Sequence, residues 1–365
     1  MKASYDLKEY LDPFWSAKRI VNESAMLVGE DDSAPLIFTP DEVESVCSSD
    51  LKIKYTEGVD YEVRDGRIKP LAGGRLPITP ALDFYRDTPA KCERPGGVFD
   101  LAIKVEPDRM REKIDLEGQR YFTFSRKNYF YDRQIVVTYT HSCEWRGYIP
   151  ESRSEVFHGF FEKVKRGERP TMLFFGDSIT TGCDSSGAND FTVEPYIDSF
   201  PIMIHKHLTE RFGEINYVNT AIGGKNTQWA RDTFEENVLS YKPDLLVLAF
   251  GMNDGDRDPD NYYALYREML CEFARVCPDT PVLLVGTMIP NFESDWLKNQ
   301  RYHINRLYKL EGEYKNTAVC DMTRLSSELY EKGKRFRDMT GNNVNHPNDF
   351  LARIYAQAIL KVIEP

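Results

Sequence analysis

From residue 171 onward the chain alternates short apolar runs with longer stretches of helical periodicity. The runs 171–175, 215–219, 244–250, 281–288 and 316–321 have the length and apolar content of strands buried on both faces. Helix-length segments separate them, among them 200–212 and 262–276. In the last, Phe350, Leu351, Ile354, Tyr355, Ala358, Ile359 and Val362 fall on one helical stripe, with Asn348 or Asp349 placed to cap its start. Five β segments joined by helical crossovers predict a parallel sheet covered on both faces.

Residues 1–150 follow a different grammar. Asp65-Gly66 stands between Tyr61-Glu-Val63 and Arg67-Ile-Lys69, a hairpin signal with its turn chemistry in place. Further short strands are expected at 97–105, 121–124 and 134–140, punctuated at sandwich-like intervals. The aromatics Tyr121, Phe122, Tyr129, Phe130, Tyr131 and Tyr139 suit a sandwich core or, alternatively, a sugar-stacking face. The fold class is therefore α/β: a flavodoxin-like α/β/α domain over 171–365, preceded by a jelly-roll-like β-sandwich domain over 1–150. A linker over 151–170 carries a short helix near 155–165. It is short and not Gly/Ser-rich, so the two domains are expected to pack together and share a crevice wall.

Composition narrows the function classes. A length of 365 residues suits two domains, and 41% apolar content supports proper cores. A net charge of -11 argues against nucleic acid and anionic membrane as partners. No stretch has the length and apolarity of a membrane span, and the first residues lack the apolar run of a signal peptide; a cytoplasmic location is the expectation. Seven cysteines at 47, 92, 143, 183, 271, 277 and 320 show no metal-binding spacing and are expected to be reduced.

Ligands of an open parallel sheet bind beyond the carboxyl ends of its strands, so the residues there carry the chemistry. The first strand ends in Gly176-Asp177-Ser178, which presents a serine hydroxyl. Read alone this is also an ordinary turn, and it lacks the Gly-Lys-Ser/Thr ending of a phosphate-binding loop. After the second strand comes Asn219-Thr-Ala-Ile-Gly223-Gly224, where paired glycines let backbone N–H groups approach a substrate oxygen. After the third comes Gly251-Met252-Asn253-Asp254, offering a carboxamide donor. After the fifth comes Asn342-Asn343-Val344-Asn345-His346-Pro347-Asn348, which holds a histidine just before the final helix. Each motif is weak alone. As an ordered set they are specific.

Over residues 170–365 the set resembles the SGNH/GDSL hydrolase family, matching its four blocks at Ser178, Gly224, Asn253 and His346. The resemblance implies a serine esterase with Ser178 as nucleophile and His346 as its base. The Ser178 N–H, the Gly224 N–H and the Asn253 side chain would then form the oxyanion hole. With a β-sandwich ahead of it, the layout is similar to that of carbohydrate esterases that remove O-acetyl groups. The implied partner is a small-molecule or oligosaccharide ester, with no metal or organic cofactor, and the oligomeric state is left open. Two rivals remain: a lipid or thioester acylhydrolase or acyltransferase on the same site, and a carbohydrate-binding protein with a decayed site.

One position departs from the family pattern. Where an aspartate usually stands three residues before the histidine, this chain has Asn343. The groups considered for orienting His346 are Asn343, Asp338, Asp349 and backbone carbonyls, and the reading favours a Ser178–His346 pair with a neutral acceptor. Other features carry less. His205 and His207 point to different helix faces, and the acidic run 254–260 has Pro259 and Leu265 where a calcium loop needs glycine and glutamate. The polar loop 183–190, next to the serine, either shapes the substrate site or is an idle surface loop.

Overall fold

The computed structural model describes residues 5–94, 97–101, 103–111, 118, 120–124, 128–188 and 191–365. Residue 102 of the expected strand 97–105 and residues 189–190 of the loop 183–190 lie outside the described residues.

Five strands, β1 (Thr171–Gly176), β2 (Asn216–Asn219), β3 (Leu245–Ala249), β4 (Val282–Gly286) and β5 (Thr317–Asp321), form one parallel sheet. Their spatial order is β2-β1-β3-β4-β5, the flavodoxin-like arrangement. Successive side chains of a strand point to opposite faces, and both faces are buried here. Met172, Phe174, Leu245, Val247, Leu283, Val285, Ala318 and Cys320 pack on one side with the helices Ser154–Lys165, Phe200–Phe212 and Asp349–Ile363. Leu173, Phe175, Leu246, Leu248, Val282, Leu284 and Val319 pack on the other with Pro259–Val276 and Gln300–Glu313. The apolar runs of the sequence are continuous for this reason.

Among the described residues the N-terminal region is built from a five-stranded and a three-stranded sheet, with two two-stranded ribbons beside them, Ala90–Arg94 with Gly97–Leu101 and Tyr85–Arg86 with Tyr121–Phe122. The larger is centred on Arg19–Val28 paired antiparallel with Gln134–Thr140, which pairs in turn with Glu42–Ser48. In the smaller sheet, Tyr61–Arg64 and Arg67–Pro70 form the expected hairpin, with Asp65 at φ 51° and Gly66 at φ 70°. Positive φ at both turn residues is what an Asp-Gly type I′ turn requires. Ala25, Leu27, Val137 and Tyr139 of the larger sheet share a core with Ala34, Tyr61 and Ile68 of the smaller, as in a sandwich. Phe122, Phe130, Tyr131 and Tyr139 are buried, so these aromatics are core.

That core is continuous with one face of the parallel sheet. The contact is also polar. Lys334 and Glu23 are fully buried and 2.8 Å apart. Glu23 also accepts from the Tyr139 hydroxyl and the Ile37 N–H, while Lys334 donates to the Ser24 carbonyl. Arg335 bridges Asp338 and Asp32. Buried charges are tolerable only when hydrogen-bonded on most sides, and these are. This network joins the sandwich to residues 334–338, immediately before the histidine loop.

Candidate active site

β1 ends in Gly176, and Asp177 caps a one-turn helix, Ser178–Thr181, by accepting the Ile179 N–H at 3.0 Å. Ser178 is thereby fixed at the carboxyl edge of the sheet, nearly buried. Burial pushes the Asp177 carboxyl up to about 7, against the opposing effect of its backbone hydrogen bond from Ile179 and the nearby His346.

The histidine loop is organised by Asn342. Its side-chain oxygen accepts the N–H groups of Val344, Asn345 and His346 at 2.9, 3.0 and 3.2 Å, and its amide donates to the Asn345 side chain. One carboxamide thus replaces the ladder that a loop lacks. The loop is closed by Gly341 N–H donating to the His346 carbonyl, and Asn348 caps the final helix by accepting from Leu351 N–H. Asn348 also donates to Ser24, Gln134 and the Asp338 carbonyl, which ties the loop's far end to the sandwich.

His346 Nε2 lies 2.9 Å from Ser178 Oγ, and its Nδ1 lies 3.0 Å from Asp184 Oδ2. A carboxylate at Nδ1 requires a proton there, which leaves the Nε2 lone pair for the serine hydroxyl. The Nδ1 partner is therefore an aspartate on the loop that follows the serine. Asp184 reaches it from a left-handed backbone, φ 65°. A side chain at position 341 would place Cβ 2.5 Å from the Asp184 Cβ, so Gly341 makes room for the carboxylate.

None of the three side chains considered from the sequence is the hydrogen-bond partner of the imidazole, whose nitrogens meet Asp184 and Ser178. Asn343 is itself left-handed at φ 65°, and its carbonyl accepts from Asn291 Nδ2 at 2.8 Å. Asp338 accepts from Met26 N–H and is paired with Arg335; burial raises its carboxyl, but Arg335 and Lys334 more than reverse this and hold it at about 2. Asp349 accepts from Ser186 N–H and from the Tyr131 hydroxyl. In place of the expected neutral acceptor, the aspartate side chain of Asp184 stands at Nδ1.

Ser178 and His346 open onto a cleft of about 260 Å³ that is also lined by Gly223, Gly224, Asn253 and Asn345. A Cβ on Gly223 would lie 3.7 Å from the Ser178 Cβ, so the glycine turn skirts the serine. Gly224 has φ 77°, and open space surrounds it; a side chain there would strain the backbone rather than collide. Asn253 donates one amide hydrogen to the Lys225 carbonyl at 2.9 Å, which binds its turn to the glycine turn and leaves a second hydrogen. The remaining wall is apolar: Trp296 and Val344, with Ile103 and Phe124 from the N-terminal region. That region meets the Trp296 loop directly, through Glu106 N–H to the Glu293 carbonyl and Asp295 N–H to the Lys104 carbonyl. The expected shared wall is present.

The acidic run has other duties. Asp254 accepts from Thr227 N–H and pairs with Arg257, Asp256 pairs with Lys298, and Asp260 with Arg306. His205 bonds to the Ile215 carbonyl and His207 to Glu364.

Fold and site together define a hydrolase-type α/β domain with a Ser–His–Asp hydrogen-bonded chain at its strand ends. The sequence model of the GDSL-like lipase/acylhydrolase family matches residues 174–354, and the chain belongs to this family through its α/β domain. A curated relative from Bacillus subtilis (strain 168), "Uncharacterized lipoprotein YqeF", is 26% identical over 225 residues, or 57% of this chain and 80% of that protein. Among solved structures, a two-domain esterase (CEX) active on acetylated mannans, co-crystallised with mannopentaose, aligns with TM-score 0.47 and 20% identity. The alignment covers 58% of this chain and 54% of that one, so this chain spans about half the length of that enzyme. The acetylxylan esterase Axe2 from Geobacillus stearothermophilus aligns with TM-score 0.44 and 20% identity, over 53% of this chain and 93% of that one. No helix among the described residues is long and apolar enough to cross a membrane.

Proposed function

We propose that the protein hydrolyses short-chain esters, O-acetyl groups on carbohydrates, through an acyl-enzyme formed on Ser178. The observation that carries this reading is His346 standing between Ser178 at 2.9 Å and Asp184 at 3.0 Å, at the mouth of the cleft. Ser178 Oγ attacks the acyl carbonyl carbon as His346 Nε2 takes its proton. The oxyanion is met by the Ser178 and Gly224 N–H groups and the free Asn253 amide hydrogen. Collapse breaks the bond to the sugar oxygen, which leaves with the proton from His346. Water, deprotonated by His346, then releases the acid and restores the serine. Asp184, accepting at Nδ1, orients the ring and stabilises the imidazolium.

A cleft of about 260 Å³ stands at the lower end of ligand-pocket sizes and has room for a short acyl group. Its mixture of an aromatic and apolar wall with amide groups suits the C–H faces and hydroxyls of a sugar. The test is to treat the enzyme with a sulfonyl fluoride, map the adduct, and compare 4-nitrophenyl acetate with the octanoate ester and with acetylated oligosaccharides. Labelling at Ser178, with loss of acetate release, is expected. Labelling of another serine overturns the mechanism, and preference for octanoate overturns the substrate class.

A further inference from the structure

Asp184 is held by more than its contact with the imidazole. Two residues further on, Ser186 is fully buried, and its N–H donates to Asp349 Oδ1 at 2.7 Å. Asp349 stands three residues after His346. The segment that carries the histidine and the loop that carries the aspartate are thus joined twice, at His346–Asp184 and at Asp349–Ser186. The second oxygen, Asp349 Oδ2, accepts from the hydroxyl of Tyr131, which belongs to the N-terminal region.

A carboxylate in the first turn of a helix ordinarily serves that helix. Asp349 caps nothing: Asn348 is the cap, accepting from Leu351 N–H, and the hydrogen bonds that the Asp349 carboxylate accepts from Ser186 and Tyr131 lead out of the helix, with Arg353 of the same helix near enough to favour its charge. The carboxylate is also kept at a cost. Burial pushes it up to about 6 even with the Tyr131 and Ser186 hydrogen bonds opposing the shift. Burial raises the Tyr131 hydroxyl well above its ordinary range, so it remains a neutral donor. Its helix satisfies its own N-terminus without Asp349, and the residue bridges three chain segments instead.

We propose that Asp349 and Tyr131 are positioning residues for Asp184: the Tyr131–Asp349–Ser186 chain fixes the loop so that the Asp184 carboxylate meets His346 Nδ1. This rests on the reading of Ser178, His346 and Asp184 as the catalytic chain. The N-terminal region then contributes to turnover through one hydroxyl, without touching substrate there.

The discriminating experiment is a double-mutant cycle on the full chain, assayed with 4-nitrophenyl acetate. Tyr131→Phe and Asp349→Asn should each lower kcat by roughly tenfold and change KM by less than about twofold. In an Asp184→Ala background the same substitutions should cost less than about twofold more, because their effect passes through a carboxylate already removed. Tyr131→Phe keeps the ring and its packing, so the cycle can be completed even if Asp349→Asn fails to fold. Equal losses in both backgrounds, or no loss in either, would overturn the proposal. Failure of the catalytic reading looks different: Ser178→Ala or Asp184→Ala would retain activity.

Discussion

The parallel-sheet domain and the N-terminal sandwich treat their polar groups in opposite ways. At the strand ends, Ser178, Asn253, Asn345 and His346 are gathered around a cleft where a substrate can reach them. Where the sandwich meets that domain, Glu23, Lys334, Arg335 and Asp338 are buried, with Asp32 at their edge, and they spend their hydrogen bonds on one another and on backbone. Under the proposed mechanism one set acts, while the other holds. The holding set ends at residue 338 and the acting histidine stands at 346, with Asn348 again bonded to Ser24 and Gln134 of the sandwich. The sandwich is thus part of the frame of the site as well as its wall, which an appended binding module would not be.

If this division is right, substitutions on the two sides should fail in different ways. The largest effect is expected on the acting side: Asn253→Ala should lower kcat by roughly 10²–10³ with KM much less changed. A purely structural Asn253, known only by its bond to Lys225, would lower the melting temperature and spare kcat.

On the holding side the signature is acid sensitivity of the fold. The Asp338 carboxyl is held at about 2 when folded, below its unfolded value, so its contribution is complete above about pH 4. It disappears as pH falls from there to about 2, a loss of about 2–3 kcal/mol. Urea unfolding of the wild type and of Asp338→Asn at pH 7, 4 and 2 should show this pH dependence in the wild type and its reduction in the variant. A parallel loss in both would place the acid sensitivity elsewhere.

The smallest effect is expected where the sandwich touches the cleft. Phe124→Ala should leave kcat on the acetate ester within about threefold while raising relative kcat/KM for the octanoate ester by roughly tenfold, the scale on which apolar pockets discriminate. Unchanged selectivity would remove the N-terminal region from the substrate wall.

Much of the acting side was legible in the chain. Apolar runs alternating with helical stripes gave the five strands and the final helix, because burial on both faces imposes that pattern. The four motifs fell at strand ends, and two of their side chains, Ser178 and His346, meet at hydrogen-bond distance. The carboxylate was not legible. Asp184 and His346 are 162 residues apart, no periodicity links them, and the contact depends on a left-handed residue facing a glycine. The signals were present but indirect: a polar loop beside the serine, a glycine at 341, and an asparagine where the family has its acid. The sealed network was also hidden, since charged residues such as Glu23 and Lys334 read as surface until a partner across the chain is known. By sequence Asp338 is a candidate partner for the histidine, yet Arg335, three residues before it, holds it.

The central claim is that the acid of this site comes from the loop after the serine and not from the position before the histidine. Measuring kcat for Asp184→Ala and Asn343→Gly side by side, with folding checked, tests it directly. Glycine suits the left-handed backbone at 343, so that variant removes the side chain with little strain. The account predicts a loss of about 10³-fold or more for Asp184→Ala, on the order seen when a triad carboxylate is removed, and less than about threefold for Asn343→Gly. The reverse ranking, with Asp184→Ala near wild type, would contradict it.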